Sequence, residues 1–372
     1  MYKKEMSLLQ NQQIKYLIKI VALFWFFTKL WSYKTWIAER AYPIIPPFDF
    51  LKNVSNSFHV ILFGLSLLNL LLVIFFKRDK WVLISLFFLE LVSCSLDTVR
   101  WQPWEFMYIC MLLIVVFNFS RPKNIILLFH LFLVAMYLFS GLHKLNRSFL
   151  SSFWMDTILQ NFFGLSLNFI LEFKLFFVGL LIPVIEILLA ISLLILKSKR
   201  KISFILIAMH ICILIIIGPF GLSYNSVVWF WNLGLIFVLF ILYSSPVICL
   251  DNKVLLNNSY WFVLWFLMPI LSFFGCWYQY FSFNLYSGKG YQMYICVNND
   301  IDELKPYLES GKLYRDKPYL ILQSWAMSEI KSAPIPELEI YKKMSDEVKK
   351  RYGDKNVRVF LYNTQTKKIE EF

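Results

Sequence analysis

The feature that most limits what this chain can fold into is a series of apolar runs, each close to the thickness of a hydrocarbon layer. Crossing a bilayer core takes about 20 apolar residues in a helix, because only a helix or a closed barrel satisfies its backbone polar groups without water. Such runs lie at 16–31, 58–76, 81–96, 106–119, 124–141, 175–196, 202–218, 227–243 and 261–281. The spacing predicts nine spans. Lys19 and Lys29 interrupt the first and Lys15 sits at its edge, so the count falls to eight if that run lies on the surface. Composition agrees: 59% of the residues are hydrophobic and 16% charged, against roughly 45–50% and about 25% in soluble domains. The expected fold class is an all-α polytopic membrane domain of eight or nine helices over 1–284, followed by a small soluble α+β domain over 285–372.

The net charge of +13 is unevenly placed. Residues 285–372 carry 15 basic and 13 acidic side chains, and the excess lies at the ends of the apolar runs. That pattern argues against a nucleic-acid partner and for membrane orientation. Lys3 and Lys4, then Lys77, Arg78 and Lys80, then Arg121 and Lys123, then Lys197, Lys199, Arg200 and Lys201 form tight clusters on one side. The other side holds Lys34, Arg40, Lys52, Arg100, Lys144, Arg147 and Lys174 in longer loops. Dense short-loop clusters mark the cytoplasmic face. The expected location is therefore an inner or plasma membrane, with a cytoplasmic N-terminus and an extracytoplasmic C-terminal domain. Met1 to Lys15 lacks a short apolar core with a small-residue cleavage site, and reads as a cytoplasmic lead-in.

The six cysteines, Cys94, Cys110, Cys212, Cys249, Cys276 and Cys296, show no C-x-x-C spacing and read as buried small hydrophobes. The aromatic stretch 149–163, with Ser151, Ser152, Asp156, Gln160 and Asn161, reads as an interfacial or re-entrant helix. In the tail, 291–297 is strand-like, 300–308 is a short helix capped by Asn299, and 319–325 is a strand or an apolar helix. An amphipathic helix over 336–352 stops at Gly353, and 357–362 is the last strand.

Polar groups at membrane depth are costly and call for a reason. Three clusters fall on the expected outer face: Asp97, Arg100, Gln102, Pro103, Trp104 and Glu105; Ser140, Gly141, His143, Lys144, Asn146 and Arg147; and Gly218, Pro219, Gly221, Tyr224, Asn225, Trp229, Trp231 and Asn232. Together they suggest a pocket in the outer half of the bundle. Asp97 and Arg100 are spaced to pair at a helix end, and the tryptophans also suit interface anchoring. His59 and His130 read as structural. His210 lies inside the seventh run and needs a partner, with no second histidine at metal spacing, so no zinc site is expected. Glu90 and Glu186 lie within runs, where Lys29 or His210 could pair with them. Lys144 follows the small pair Ser140-Gly141, and a lysine in a low-dielectric pocket can act as a general base, whereas at an interface it merely snorkels.

The run Tyr137-Leu-Phe-Ser-Gly-Leu-His-Lys-Leu-Asn146, with Phe149 and Trp154 beyond, resembles a signature of the vitamin K-dependent gamma-carboxylase-like family, also called horizontally transferred transmembrane (HTTM) domain proteins. Leu96-Asp97-Thr98-Val99-Arg100-Trp101 is similar to a second block, and His210 followed by Gly218 and Phe220 to a third. The resemblance covers about 15–245 and implies that Lys144 is the base that deprotonates a quinol. The chain departs from the family at His143, where a first lysine would stand, and at Gln102-Pro103-Trp104, where Asn-Asn-His would stand. The tail is also small for a peptide-handling domain. These departures argue against carboxylation of protein glutamates and leave a quinone, another isoprenoid lipid or a similar hydrophobic small molecule as the implied ligand.

Three functions follow as expectations. The first is a membrane enzyme acting on a quinone or lipid, with Lys144, His143, Asp97 and Arg100 as catalytic candidates. Gln102, Trp104, Gly141, Asn146, His210, Tyr224, Asn225, Trp229 and Asn232 would then line its pocket. The second is a non-catalytic scaffold or partner subunit that presents the C-terminal domain to a protein partner. The third, a proton-relaying transporter using Glu90, Glu186 and His210, lacks the internal repeat such folds show.

Overall fold

The computed structural model describes residues 2–76, 79–245, 250–298, 301–309, 311 and 317–372. Lys77, Arg78, Cys249, Asn299 and Asp300, used above, lie outside the described residues, as do the side chains of Lys3 and Lys4. The chain is 68% helical, with a small antiparallel sheet near its C-terminal end. Four helices are long and apolar enough to cross a membrane: Asn56–Phe75, Pro122–Lys144, Leu175–Ile195 and Lys199–Ile217. Three shorter apolar helices, Pro103–Phe117, Val227–Leu242 and Ser259–Ser272, pack with them. The ninth expected run is shorter than its sequence suggests, because regular helix ends at Ser272 and the chain then turns through Gly275 at φ +72.

Pro122–Lys144 is the axis of the bundle. Of its apolar window 83% is buried, against 22% for Lys199–Ile217. Its partner across the core is the helix ending at Ile195, and Gly141 sets their approach. A Cβ at Gly141 would stand 2.7 Å from Ile187 Cγ1 and 2.9 Å from the Pro183 carbonyl oxygen. Small residues at such crossings let two backbones meet. Gly141→Val is therefore expected to cost about 1–3 kcal/mol by overpacking, read as a lower unfolding temperature in detergent; an unchanged temperature would show that the two helices can part freely.

The first helix, Tyr2–Trp31, packs along Val227–Leu242. Gln13 Nε2 donates to the Ile241 and Leu242 carbonyls at 2.9 and 2.8 Å, at one end of Val227–Leu242. Trp31 Nε1 donates to Ser226 Oγ at 2.8 Å, at the other. The two helices are thus antiparallel along their shared length. Lys29, one of the residues that weakened this run as a span, is fully buried and donates to Glu90 Oε2 at 2.6 Å, with Ser66 Oγ on the other Glu90 oxygen.

The tail is a four-stranded antiparallel sheet in the order β2-β1-β3-β4: β1 Tyr291–Val297, β2 Tyr319–Ile321, β3 Val357–Asn363 and β4 Ile369–Glu371. Alternate side chains Met293, Ile295 and Val297 of β1, and Val357, Val359 and Leu361 of β3, face one core, as the period of two requires. Helices Leu322–Glu329 and Leu338–Tyr352 share that core through Trp325, Ala326, Tyr341, Met344 and Val348. The ambiguous 319–325 stretch resolves into both options, a short strand followed by a helix. The second helix ends at Gly353, whose φ of +89 suits a residue without a Cβ. β4 carries no apolar alternation and was not legible in sequence. Tyr42, Ile45 and Val99, from loops of the helical part, complete the tail core.

Candidate functional site

Beside Lys144 the bundle encloses an apolar cavity of about 230 Å³. Its walls come from the Pro122–Lys144, Leu175–Ile195, Lys199–Ile217 and Val227–Leu242 helices, with Phe149 and Phe153 from the wide-turn helix Phe149–Phe162. Met107, Met136 and Met209 contribute adaptable apolar surface. Two polar groups interrupt this lining. Lys144 Nζ donates to Glu186 Oε2 at 2.7 Å and to Ser140 Oγ at 2.7 Å. The Lys144 and Glu186 side chains keep only 13% and 6% of their surface exposed, which makes this a largely desolvated ion pair. The second group is a chain: Tyr137 Oη pairs with His210 Nε2 at 2.7 Å, and His210 Nδ1 with Asn232 Oδ1 at 2.8 Å. Asn232 Nδ2 in turn donates to the Val228 carbonyl at 2.8 Å. That bond orients the Asn232 amide, so its oxygen accepts from Nδ1–H and Nε2 is left to accept from Tyr137.

A second, polar chamber of about 330 Å³ lies where the tail meets the bundle. Phe153, Leu285 and Tyr286 form its common wall with the apolar cavity. Tyr224 accepts from Gln323 Nε2 at 3.0 Å, joining the 218–226 loop to the tail, and Asn225 Nδ2 donates to Tyr286 Oη at 3.0 Å. Burial raises the Tyr224 hydroxyl above the usual phenol range and lowers the Lys289 ammonium below the usual lysine range.

The structure therefore brings together Lys144, His210 and Asn232 around one cavity, with Tyr224 and Asn225 in the adjoining chamber. Three other candidates hold this arrangement from behind. Gly141 is the helix crossing already described. Asn146 donates to the His143 and Ser287 carbonyls at 2.7 and 3.0 Å and caps Phe149 N at 3.0 Å. Trp229 Nε1 donates to the Ile217 carbonyl at 2.8 Å.

The remaining candidates stand elsewhere. His143 turns away from the cavity and stacks on Phe273 at 4.3 Å, with Nε2 3.2 Å from Ser272 Oγ. Asp97 pairs with Arg40 and accepts from Ile45 N at 3.2 Å. Arg100 donates to the Thr35, Ser93 and Trp36 carbonyls at 3.0, 2.9 and 2.9 Å and contacts His59 Nδ1 at 2.7 Å. Burial pulls its guanidinium down to about 10, which leaves it charged at neutral pH. Gln102 Nε2 bridges the Val99 and Ala333 carbonyls at 2.7 and 2.8 Å. Trp104 packs edge-on against Trp36 and Tyr108. None of these five lines either chamber, and the last four act together. They form a brace that ties the 32–47 loop, the 97–102 loop and the tail together, with Thr35 Oγ1 donating to the Ile330 carbonyl at 2.7 Å and Lys34 pairing with Glu329 at 3.0 Å.

The pairing of Asp97 is also not the one its spacing suggested. Its cation is Arg40, 57 residues away, rather than Arg100. Glu186, a site residue here, pairs with Lys144 and not with His210. Tyr137, the hydrogen-bond partner of His210, stood out in sequence only as the first residue of the family-like run, because a tyrosine in an apolar run otherwise reads as core. Among the described residues no group of three or more His, Cys, Asp or Glu side chains is placed to hold a metal ion. No family of known proteins, no curated protein and no solved structure matches this chain.

Proposed function

We propose that this chain is a multi-pass membrane protein of HTTM type that binds a quinol-like or lipid-like molecule in the apolar cavity and acts on its polar end through the Lys144–Glu186 pair. The observation that carries this reading is a desolvated ion pair opening onto an apolar chamber. Such a pocket takes a largely apolar ligand and fixes it by a few convergent polar groups. The pair alters the role implied for Lys144 alone. Glu186, hydrogen-bonded to the ammonium, is the natural proton acceptor, and Lys144 steadies the negative charge that develops on a deprotonated ligand oxygen.

The reading of nine crossings draws on the loops that touch the tail. Thr35, Gln102, Asn146 and Tyr224 all bond to it. These residues follow the first, third, fifth and seventh runs, so every odd loop lies at one end of the bundle. The first helix joins the count because the 18 residues from Gln13 to Trp31 span about 27 Å at 1.5 Å per residue. The dense basic clusters belong to the even loops by sequence, so this reading puts the N-terminus in the cytoplasm and the tail outside it.

The test is to purify the full chain in mild detergent, extract it with organic solvent and identify co-purifying quinone or lipid by mass spectrometry. Lys144→Ala is treated identically. A stoichiometric ligand that is lost from the variant is the expected result. No ligand in either folded protein would favour the second reading, a scaffold that holds the tail outside the membrane, for which the Arg40–Asp97–Arg100 brace is the supporting observation.

A further inference from the structure

Away from the cavity, one polar pair stands on the outer surface of the bundle. Asn69 lies within Asn56–Phe75, one of the helices long and apolar enough to cross a membrane. At 1.5 Å per residue it sits about 20 Å along the axis from Asn56 and about 9 Å from Phe75. In a helix that crosses a bilayer, that position is inside a hydrocarbon core about 30 Å thick. Asn69 Nδ2 donates to the Leu65 carbonyl at 2.9 Å, which fixes the orientation of the amide. Its Oδ1 faces Ser85 Oγ of the Lys80–Ser95 helix at 2.7 Å. Leu62, Ser66, Leu70 and Val73 form the buried side of Asn56–Phe75. Asn69 is at the edge of the other side, in the seam with Lys80–Ser95, where Leu65, Leu68, Trp81, Ser85 and Phe88 are all exposed.

The hydrogen bonds of this pair do not close within one chain. A primary amide has two N–H donors and an oxygen that accepts twice. Asn69 uses one donor on Leu65, and no other described residue accepts from it. Its oxygen receives at most one bond, because Ser85 has a single hydroxyl proton and also lies 2.9 Å from the Val82 carbonyl. One N–H and one acceptor position are therefore left over on the lipid side. Water would satisfy both, but the hydrocarbon core holds none, and an amide without partners there is costly. Polar side chains on membrane helices meet this need by bonding to another helix.

The two groups left over also identify that helix. A donor and an acceptor on one amide are each other's complement. Two copies of Asn69 facing one another satisfy both with a reciprocal pair of N–H···O bonds, and a two-fold contact presents the same surface from both sides in this way. A foreign helix would have to bring a donor and an acceptor to the same point. The exposed neighbours Leu65, Leu68, Trp81 and Phe88 carry no charge, so identical faces do not repel. We infer that the chain pairs with a second copy of itself through Asn56–Phe75 and Lys80–Ser95, with the two Asn69 amides bonded across the two-fold axis. This pairing depends on Asn56–Phe75 crossing the bilayer and not on the ligand. No residue of either helix lines either chamber, so both copies keep their cavities free.

The experiment uses two batches of the full chain, one with a donor and one with an acceptor fluorophore on a C-terminal tag. They are mixed in liposomes over a series of protein-to-lipid ratios, and energy transfer is read. The native chain should show transfer that saturates as a dimer. Asn69→Leu, which removes both outward-facing polar groups, should weaken association about tenfold, the size that two interhelical hydrogen bonds supply. Its unfolding temperature should not fall, and it should retain whatever the native chain retains on solvent extraction. Leu68→Trp, a bulky change on the same exposed face, should also weaken association, and it covers the case in which Asn69→Leu fails to fold. A native chain that stays monomeric at the highest protein density would overturn the pairing, as would a dimer equally tight in both variants. A monomeric native chain that carries a different membrane protein through purification, lost in Asn69→Leu, would assign the face to a foreign helix and also overturn it. A monomer leaves the ligand reading intact, and absence of ligand leaves the pairing intact.

Discussion

Lys144→Ala should destabilise the chain by about 3 kcal/mol and abolish ligand retention at once, because removing one member of a buried ion pair leaves the other charge uncompensated. Glu186 keeps 6% of its side-chain surface exposed and would face an apolar cavity alone. The estimate sits at the lower end of the range for buried pairs because Lys144 retains a little more contact with solvent, 13%. The informative variant is the double one. Lys144→Met with Glu186→Leu replaces the pair by apolar groups of similar size, and such replacements are often neutral or stabilising. It should recover most of the lost unfolding temperature in detergent and still retain no ligand. A site that is merely structural gives another pattern, in which ligand retention returns with stability. If the double variant binds as the native chain does, the pair has no part in recognition.

Arg100→Met should be the most damaging single change outside the cavity. The guanidinium is fully buried and serves acceptors on three segments: Thr35 and Trp36 in the loop after the first helix, Ser93 at the end of Lys80–Ser95, and His59 at the start of Asn56–Phe75. Methionine fills some of the volume and satisfies none of these groups. With each orphaned buried acceptor costing about 1–3 kcal/mol, the loss should exceed that of Lys144→Ala. The same brace seats the tail, so limited proteolysis should release residues beyond about 285 from the variant at protease levels that leave the native chain whole. Any fraction that remains folded should still retain ligand, since Arg100 lines neither chamber. Native stability in Arg100→Met would show that the brace is not a structural centre. Loss of ligand from a fully folded variant would return Arg100 to the site.

These two results separate groups that sequence placed in one class. Both sets are charged residues beside apolar runs on one face, and each has a reason to be conspicuous. One closes the seam between the helical part and the tail, where loops must satisfy their carbonyls away from water. The other interrupts an otherwise apolar wall. Only the second has open volume next to it, and open volume is what a ligand needs.

The helical elements were legible because their cause is local. A run of apolar residues near 20 long has few alternatives in a bilayer, and seven of the nine runs match helices within a few residues, while the first helix begins well before its run and the last ends well short of it. The tail strands were legible for a similar reason, since Met293, Ile295 and Val297 alternate against one core. The amphipathic helix before Gly353 showed both its pattern and its stop. Lys144, His210 and Asn232 were visible as polar residues in apolar surroundings. What sequence could not supply was partnership. Asp97 lies three residues from Arg100 yet pairs with Arg40, and Glu186 lies 42 residues from the lysine that meets it. Lys29 weakened the first run on charge alone, and its pairing with Glu90, which the sequence offered as one option among several, removes the objection from 61 residues away. Tyr286 gave no signal, because its role depends on which helix or loop stands opposite. Residue type and periodicity are properties of a segment, and they determined the elements and the expected side of each loop. Which charges neutralise one another, and which polar atoms are left facing an open volume, depends on helix packing across the chain, and the tertiary structure alone decided it.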